Sequence, residues 1–123
     1  MDFENNTKTL LLVEDDDAFR SRLGTAMQKR GFNITSASSV AEGLRAVRAN
    51  APDYAVIDLR LQDGSGLDVV EALEQQRPDA RAIILTGYGN IQTAVAATRL
   101  GAIDYMTKPA TADEIVDTLM APK

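Results

Sequence analysis

Short apolar segments alternate along this chain with longer segments in which apolar residues recur every three or four positions. The short segments are typical of β-strands and the longer ones of amphipathic helices. Five strand–helix units follow one another, with strands predicted at Thr9–Val13, Asn33–Ala37, Tyr54–Ile57, Arg81–Leu85 and Asp104–Met106. Because strands that alternate with helices usually pair in parallel, the pattern predicts an α/β domain built on a parallel sheet.

The strands differ in apolar content, and the difference predicts their places in the sheet. The first, third and fourth strands are nearly continuous in apolar residues, as expected of central strands that helices cover on both faces. The second and fifth strands are weaker and are expected nearer the edges. Three helices each present one apolar stripe to the sheet: Phe19, Leu23 and Met27; Val40, Leu44 and Val47; Leu67, Val70 and Leu73.

Two helix starts carry a local signal. Ser39 with Glu42, and Thr111 with Glu114, have the spacing of a capping box, in which each side chain accepts a hydrogen bond from the backbone of the other residue. Helices are therefore expected to begin just after Ser39 and just after Thr111.

Composition limits the chemistry that is available. The chain has 123 residues, 45% of them apolar, which suits one domain, and we expect a flexible lead-in at residues 1–8, the domain at 9–120 and the start of a linker or the chain end at 121–123. It has no cysteine and no histidine, which excludes disulfides, thiolate and imidazole metal sites and a Ser-His triad. The net charge of -5 argues against unaided nucleic-acid binding.

No apolar run approaches the roughly 20 residues of a membrane span and no signal peptide is recognisable, so a cytoplasmic protein without membrane contact is predicted.

Unusual polar residues follow four of the predicted strands. The first strand runs into Glu14–Asp17, the third into Asp58 and the fourth into Thr86, while Lys108 follows the fifth. In open parallel sheets, ligands bind beyond the carboxyl ends of the strands, so these side chains are expected to meet at one edge. Carboxylates without histidine or cysteine suit a hard cation, and we predict Mg2+. With a lysine and a hydroxyl to contact phosphoryl oxygens, the set favours phosphoryl transfer.

Each of these signals is weak when taken singly. An acidic run after a strand is more often a solvated helix start, which is the interpretation we give to Asp16 and Asp17. A single Asp after a strand, a Thr-Gly pair and a Lys-Pro pair are each more often turn or strand-end residues. The functional interpretation depends on their joint placement at four strand ends.

From about Thr9 to Leu119 the sequence resembles the receiver domains of two-component response regulators, in the CheY-like superfamily. The motifs that carry the resemblance are Leu11–Asp16, Asp58–Leu61, Gly66, Leu85–Tyr88 and Lys108-Pro109. Within that family, the sequence of the segments Tyr54–Val70 and Leu85–Ala97 is most similar to the PrrA/RegA/ActR group of redox-responsive transcription regulators. The resemblance implies a doubly wound (βα)5 three-layer sandwich with a parallel five-stranded sheet of order 2-1-3-4-5.

The resemblance also implies roles at the site. Asp58 would be the nucleophile that accepts a phosphoryl group from a sensor histidine kinase or from acetyl phosphate. Asp15, Asp58 and the backbone carbonyl of Arg60 would hold Mg2+, with Glu14 orienting a metal-bound water. Such a protein is not a dedicated enzyme, since it catalyses only its own phosphorylation and slow autodephosphorylation.

A conformational switch is implied in the same way. Lys108 would pair with the phosphoryl oxygens, in a cis peptide with Pro109, while Thr86 would move inward to hydrogen-bond them. Tyr105 would then rotate from an exposed toward a buried position; as an alternative, it is an ordinary aromatic of an edge strand. The fourth helix, fifth strand and fifth helix would form a homodimer after phosphorylation. DNA would be contacted only through a C-terminal helix-turn-helix domain, absent from this chain.

Three other classes of protein compete with this interpretation. A Toprim-like or haloacid-dehalogenase-like phosphotransfer enzyme also places acids at strand ends with Mg2+, but it does not explain Thr86 together with Lys108. A flavodoxin-type cofactor binder would need a glycine-rich phosphate loop after the first strand, where this chain has acids. A degenerate receiver that only binds partners would have lost part of the acid, Asp, Thr and Lys set.

Overall fold

The computed structural model describes residues 8–87 and 90–122. Most of the predicted lead-in, Tyr88 of the fourth-strand motif and Lys123 lie outside the described residues. The central sheet has five parallel strands in the spatial order β2-β1-β3-β6-β7: β1 Lys8–Val13, β2 Phe32–Ala37, β3 Tyr54–Ile57, β6 Arg81–Thr86 and β7 Asp104–Thr107. In terms of the five predicted strands this order is 2-1-3-4-5, so the predicted topology is confirmed.

Within the described residues five helices cover the sheet, and a small hairpin interrupts the pattern after β3. The helices are α1 Asp17–Gln28, α2 Val40–Ala49, α3 Leu67–Gln76, α4 Ile91–Arg99 and α5 Ala112–Met120. The hairpin pairs β4 Arg60–Leu61 with β5 Gly64–Ser65 in antiparallel fashion. It was not predicted, because two strands of two residues each are too short to give a hydrophobic period. No helix within the described ranges is long and apolar enough to cross a membrane.

Each face of the sheet packs against its own group of helices. On one face, Leu11 and Ile57 lie in a cluster with Val47, Val70 and Leu73 of α2 and α3. On the opposite face, the alternate strand residues lie in a second cluster with helices α1 and α5, which includes Leu10, Leu12, Leu23, Met27, Ile83 and Ile115. The result is the predicted three-layer sandwich, in which the central strands are buried on both sides.

The two predicted capping boxes have different outcomes. At α5 the box is present in full, since Thr111 and Glu114 each accept a hydrogen bond from the backbone N–H of the other. At α2 the prediction is right for Ser39, whose hydroxyl accepts from the Glu42 N–H at 3.1 Å. It is wrong for the Glu42 side chain, which accepts from Ser38 instead. The first turn of α2 has another partner, described below.

Candidate functional site

Backbone hydrogen bonds fix the ends of β1 and β3 side by side. Val13 of β1 is in register with both Ala37 of β2 and Ile57 of β3. The ladders continue one residue further, because the Glu14 N–H donates to Ala37 O at 3.0 Å and the Asp58 N–H donates to Val13 O at 2.9 Å. The side chains of Glu14 and Asp58 are therefore placed by the sheet itself.

Three carboxylates converge at this edge, as the strand ends predicted. One oxygen from each of Glu14, Asp15 and Asp58 can be chosen so that all three lie within 4.8 Å of one another. Glu14 and Asp58 are buried, with exposed fractions of 2% and 8%. Such proximity of like charges is unfavourable unless cations lie among them.

Asp58 has one carboxylate oxygen without a hydrogen-bond partner. Asp58 Oδ1 is buried and accepts no hydrogen bond, the one such side-chain atom found among residues 8–87 and 90–122. An unpaired buried carboxylate oxygen is costly in free energy, and a bound cation would satisfy it. The donor set is oxygen alone, which fits a hard divalent cation such as Mg2+ or Ca2+. The residues present therefore fit the predicted metal site.

Glu14 is held from several directions. Its Oε1 accepts from Lys108 Nζ at 2.6 Å, and its Oε2 accepts from the Asp16 N–H at 3.1 Å. Its backbone carbonyl accepts from Arg20 Nη1 at 2.7 Å. Asp16 itself caps α1 by accepting from the Phe19 N–H, a hydrogen bond that lowers the pKa of the Asp16 carboxyl. The interpretation of Asp16 and Asp17 as a helix start is confirmed.

Lys108 follows β7, an edge strand of the sheet, and its side chain extends to the carboxylates. Its backbone N–H donates to Thr86 O at 2.9 Å, so the lysine is anchored to the end of β6, and its bond to Pro109 is cis. Its ammonium lies 2.6 Å from Glu14 Oε1 and 3.5 Å from Asp58 Oδ2. Burial alone would lower the pKa of Lys108, but the hydrogen bond to Glu14 and the negative charge of Asp58 outweigh it and raise that pKa. The lysine is thus a firmly cationic group at the site.

The candidate switch residues lie on the last two strands of the sheet, β6 and β7. Thr86, the last residue of β6, is fully buried, whereas Tyr105 on β7 is half-buried and packs against the core. The Tyr105 hydroxyl lies 2.9 Å from Thr93 Oγ1 in the first turn of α4. Thr93 also forms a capping box with Asn90. Sequence reasoning missed Thr93, because a lone threonine on a helix gives no signal of a tertiary partner.

The segment after Asp58 folds back on the site. The Gly66 N–H donates to Leu59 O at 2.8 Å, and a Cβ atom at position 66 would lie only 2.0 Å from Asp58 O. Asp63, at the hairpin turn, accepts from the N–H groups of Val40 and Ala41 at 2.8 and 3.0 Å. Asp63 thereby supplies the second cap of α2, and these two hydrogen bonds lower the pKa of its carboxyl. This role was also missed, since α2 begins more than twenty residues earlier in the chain.

An open cleft of about 660 Å3 lies over the carboxylates. The side chain or backbone of the following residues lines it: Glu14, Asp15, Asp16, Asp58, Arg60, Leu61, Gln62, Gly87 and Lys108. The cleft therefore brings together the predicted metal and lysine positions, while Thr86 is buried. Arg60 is exposed at its rim.

Comparison with known protein families identifies the family to which this chain belongs. The response regulator receiver domain matches residues 10–120 of the chain. The chain belongs to this family. The membership excludes the phosphotransfer enzymes and the flavodoxin-type binder considered above as competing classes.

This receiver domain is similar to curated regulators over most of its length. It is 57% identical over 114 residues to the photosynthetic apparatus regulatory protein RegA of Cereibacter sphaeroides, covering 93% of the chain and 62% of RegA. It is 58% identical over 113 residues to the acid tolerance regulatory protein ActR of Rhizobium meliloti, covering 92% of the chain and 58% of ActR. The predicted placement in the PrrA/RegA/ActR group is confirmed. The chain spans about three fifths of the length of these relatives.

Solved structures agree on the fold. A Burkholderia pseudomallei response regulator, crystallised with a phosphorylated aspartic acid, calcium ion and citrate, has a TM-score of 0.88 and 34% identity, covering 93% of this receiver domain and 67% of that chain. A CheY-like receiver domain protein from Methanospirillum hungatei has a TM-score of 0.86 and 26% identity, covering 90% and 89%.

Proposed function

We propose that this receiver domain accepts a phosphoryl group on Asp58 from a sensor histidine kinase, in a Mg2+-dependent reaction. The conformational change that follows would control a transcriptional output domain outside this chain. One observation carries the proposal: Asp58, whose buried Oδ1 accepts no hydrogen bond, clusters with Glu14, Asp15 and Lys108 and lines an open cleft. The phosphorylated aspartic acid in the Burkholderia pseudomallei regulator supports the same chemistry.

The metal would be held by Asp15, Asp58 and the backbone carbonyl of Arg60, with Glu14 orienting a bound water. When bound, Mg2+ supplies positive charge that offsets carboxylate repulsion and neutralises phosphoryl oxygens. The calcium ion in the Burkholderia pseudomallei structure supports a divalent cation in this family. Asp15 and Asp58 are well placed for the role, because their oxygens already lie within 4.8 Å of each other.

The chemical step is a phosphoryl transfer to a carboxylate. A carboxylate oxygen of Asp58 attacks phosphorus and forms a P–O bond, while the P–N bond of a phosphohistidine or the P–O bond of acetyl phosphate breaks. The electron pair of the broken bond leaves with the imidazole or the acetate. Lys108 contributes positive charge beside the phosphoryl oxygens. In slow autodephosphorylation, water attacks the same phosphorus, the P–O bond to Asp58 breaks, and inorganic phosphate leaves. Asp58 returns to its free carboxylate, so the domain resets itself without being a dedicated enzyme.

The switch would pass from the phosphoryl group to one face of the domain. Thr86 would hydrogen-bond the phosphoryl oxygens, and Tyr105 would move inward from its half-buried position. The surface of α4, β7 and α5 would then form a homodimer. Two exposed apolar side chains on α4, Ile91 and Val95, support an interface there. DNA contact would fall to a C-terminal helix-turn-helix domain, and the whole protein would act in the cytoplasm.

Removal of the metal tests the proposal directly. Incubation of the domain with acetyl phosphate and Mg2+ is expected to add one phosphoryl group, measured by intact mass, and chelation of Mg2+ by EDTA is expected to prevent the addition. The reason is that three clustered carboxylates repel an incoming anion, and the one positive charge of Lys108 does not offset them without a divalent cation. Equal labelling with and without EDTA would remove Mg2+ from the proposal.

The switch predicts an effect for the hydrogen bond between Tyr105 and Thr93. Thr93→Val and Tyr105→Phe each delete it from one side, and each is expected to tighten the apparent binding of beryllofluoride, a phosphoryl mimic, by roughly two- to tenfold. The bond holds Tyr105 in its present position, so its loss favours inward rotation. Thr93→Ser retains a hydroxyl and serves as control. If both deletion variants bind beryllofluoride like the wild type, Tyr105 is an ordinary edge-strand aromatic.

A further inference from the structure

An aromatic ring lies against the ammonium group of Lys108. The ring is that of Phe19 on α1, and its centroid is 4.4 Å from Lys108 Nζ. At this distance the electron-rich face of the ring attracts a cation. Phe19 was predicted only as a member of the apolar stripe of α1, and it does pack against the core cluster of that face. The contact with Lys108 is a second feature, which a core role does not require.

The other contacts of the ammonium explain why a ring is useful there. Glu14 Oε1 is close at 2.6 Å, but Asp58 Oδ2 is at the 3.5 Å limit of a hydrogen bond. The Lys108 side chain remains 25% exposed. The lysine side chain is a flexible chain of four carbons, so one strong contact still leaves the ammonium able to change position. The Phe19 ring restricts that freedom from a third element of the fold.

The ring and the carboxylates differ in how they bind the ammonium group of Lys108. A carboxylate occupies an N–H donor and neutralises the charge, whereas an aromatic face attracts the cation without taking a strong hydrogen bond. A phosphoryl group that enters the site needs both the donor and the charge. A neutral ring can therefore hold the ammonium in place and leave it available.

We propose that Phe19 is a positioning residue for phosphoryl transfer, acting through its aromatic face to hold the Lys108 ammonium beside Asp58. This inference rests on the proposed function, since the transfer step is what it would accelerate. It assigns to an apolar helix residue a part in the reaction that depends on aromaticity rather than on volume.

A series of substitutions separates aromaticity from packing. Phe19→Leu keeps an apolar side chain of similar size but has no ring face, while Phe19→Tyr and Phe19→Trp keep the face. Phe32→Leu is a matched control, because Phe32 is a buried aromatic of the same core cluster that packs edge-on against Tyr54. Phosphorylation by acetyl phosphate at saturating Mg2+ is followed by intact mass. Phe19→Leu is expected to slow it roughly three- to tenfold, and the two aromatic variants and Phe32→Leu are expected to stay within about twofold of wild type.

A second readout does not depend on phosphorylation. In the wild type, the ring current of Phe19 should shift the NMR signals of the Lys108 ε-methylene protons upfield, and Phe19→Leu should abolish that shift while Phe19→Tyr retains it. If the wild type cannot be phosphorylated, the proposed function is wrong. The NMR shift would still test the contact between Phe19 and Lys108. If the wild type is phosphorylated and Phe19→Leu proceeds at the same rate, or if Phe32→Leu slows the reaction equally, the inference about Phe19 is wrong.

Discussion

Asp58→Asn is expected to abolish phosphorylation while leaving the domain at least as stable as the wild type in the absence of divalent cations. The amide is not nucleophilic toward phosphorus, so labelling should be lost. We expect this stability because the substitution removes one of three clustered negative charges, of which Glu14 and Asp58 contact the Lys108 ammonium. At an effective dielectric constant of about 20, each repulsion relieved is worth roughly 3–4 kcal/mol, and the lost attraction between Asp58 and Lys108 offsets only part of the two that are relieved.

Two measurements check this expectation. Intact mass after treatment with acetyl phosphate and Mg2+ gives the labelling, and thermal unfolding in EDTA gives the relative stability. Asp63→Asn is a suitable control, since Asp63 lies in the same segment but caps α2. That variant should still be labelled. Phosphorylation that survives Asp58→Asn would place the acceptor elsewhere and overturn the proposed site.

Gly66→Ala is expected to impair both the fold and the reaction. The added Cβ atom would lie 2.0 Å from Asp58 O and 2.7 Å from Ile57 Cγ2, so either α3 or the strand end must move. The backbone at Gly66 has φ -61° and ψ -18°, which suits any residue, so the close approach alone demands glycine. Overpacking of this kind costs about 1–3 kcal/mol. A displaced Asp58 should be phosphorylated on the order of tenfold more slowly, or worse.

Gly24→Ala is the matched control for this steric argument. Gly24 is buried inside α1, yet a Cβ atom there would meet its nearest neighbours at 3.9 and 4.0 Å, which is ordinary contact. Because alanine favours helix over glycine, this variant should be about 0.5–1 kcal/mol more stable. Urea unfolding and the labelling rate of both variants provide the test. A Gly66→Ala protein with wild-type stability and rate would show that the loop accommodates the methyl group easily.

The sheet could be predicted well from sequence because its strands differ in a way that burial dictates. Tyr54–Ile57 was predicted with its observed bounds, and the two weaker strands do lie at the edges. The convergence of Glu14, Asp15, Asp58 and Lys108 could also be predicted, since parallel strands place their carboxyl ends together. Fold topology thus carried the site prediction further than any single motif.

Tertiary partners of individual polar side chains could not be predicted in the same way. Capping-box spacing identified Ser39 correctly but assigned Glu42 to the wrong donor, since Glu42 accepts from Ser38. The same spacing gave no sign of Asp63, which reaches the first turn of α2 from the hairpin. The tertiary contacts of Phe19 and Thr93 could not be predicted for a related reason. Their contacts with Lys108 and Tyr105 cross between elements, and apolar periodicity or helix propensity reports only the element to which a residue belongs.

The attachment of Asp63 to α2 has a consequence for protein engineering. Asp63, whose carboxylate caps the first turn of α2, lies five residues after Asp58, the proposed phosphoacceptor. That distance works as a fixed spacer, so a loop transplanted from another receiver must match its length as well as its chemistry. Chimeric receivers that respect this spacing should keep α2 in place when the residues between are exchanged.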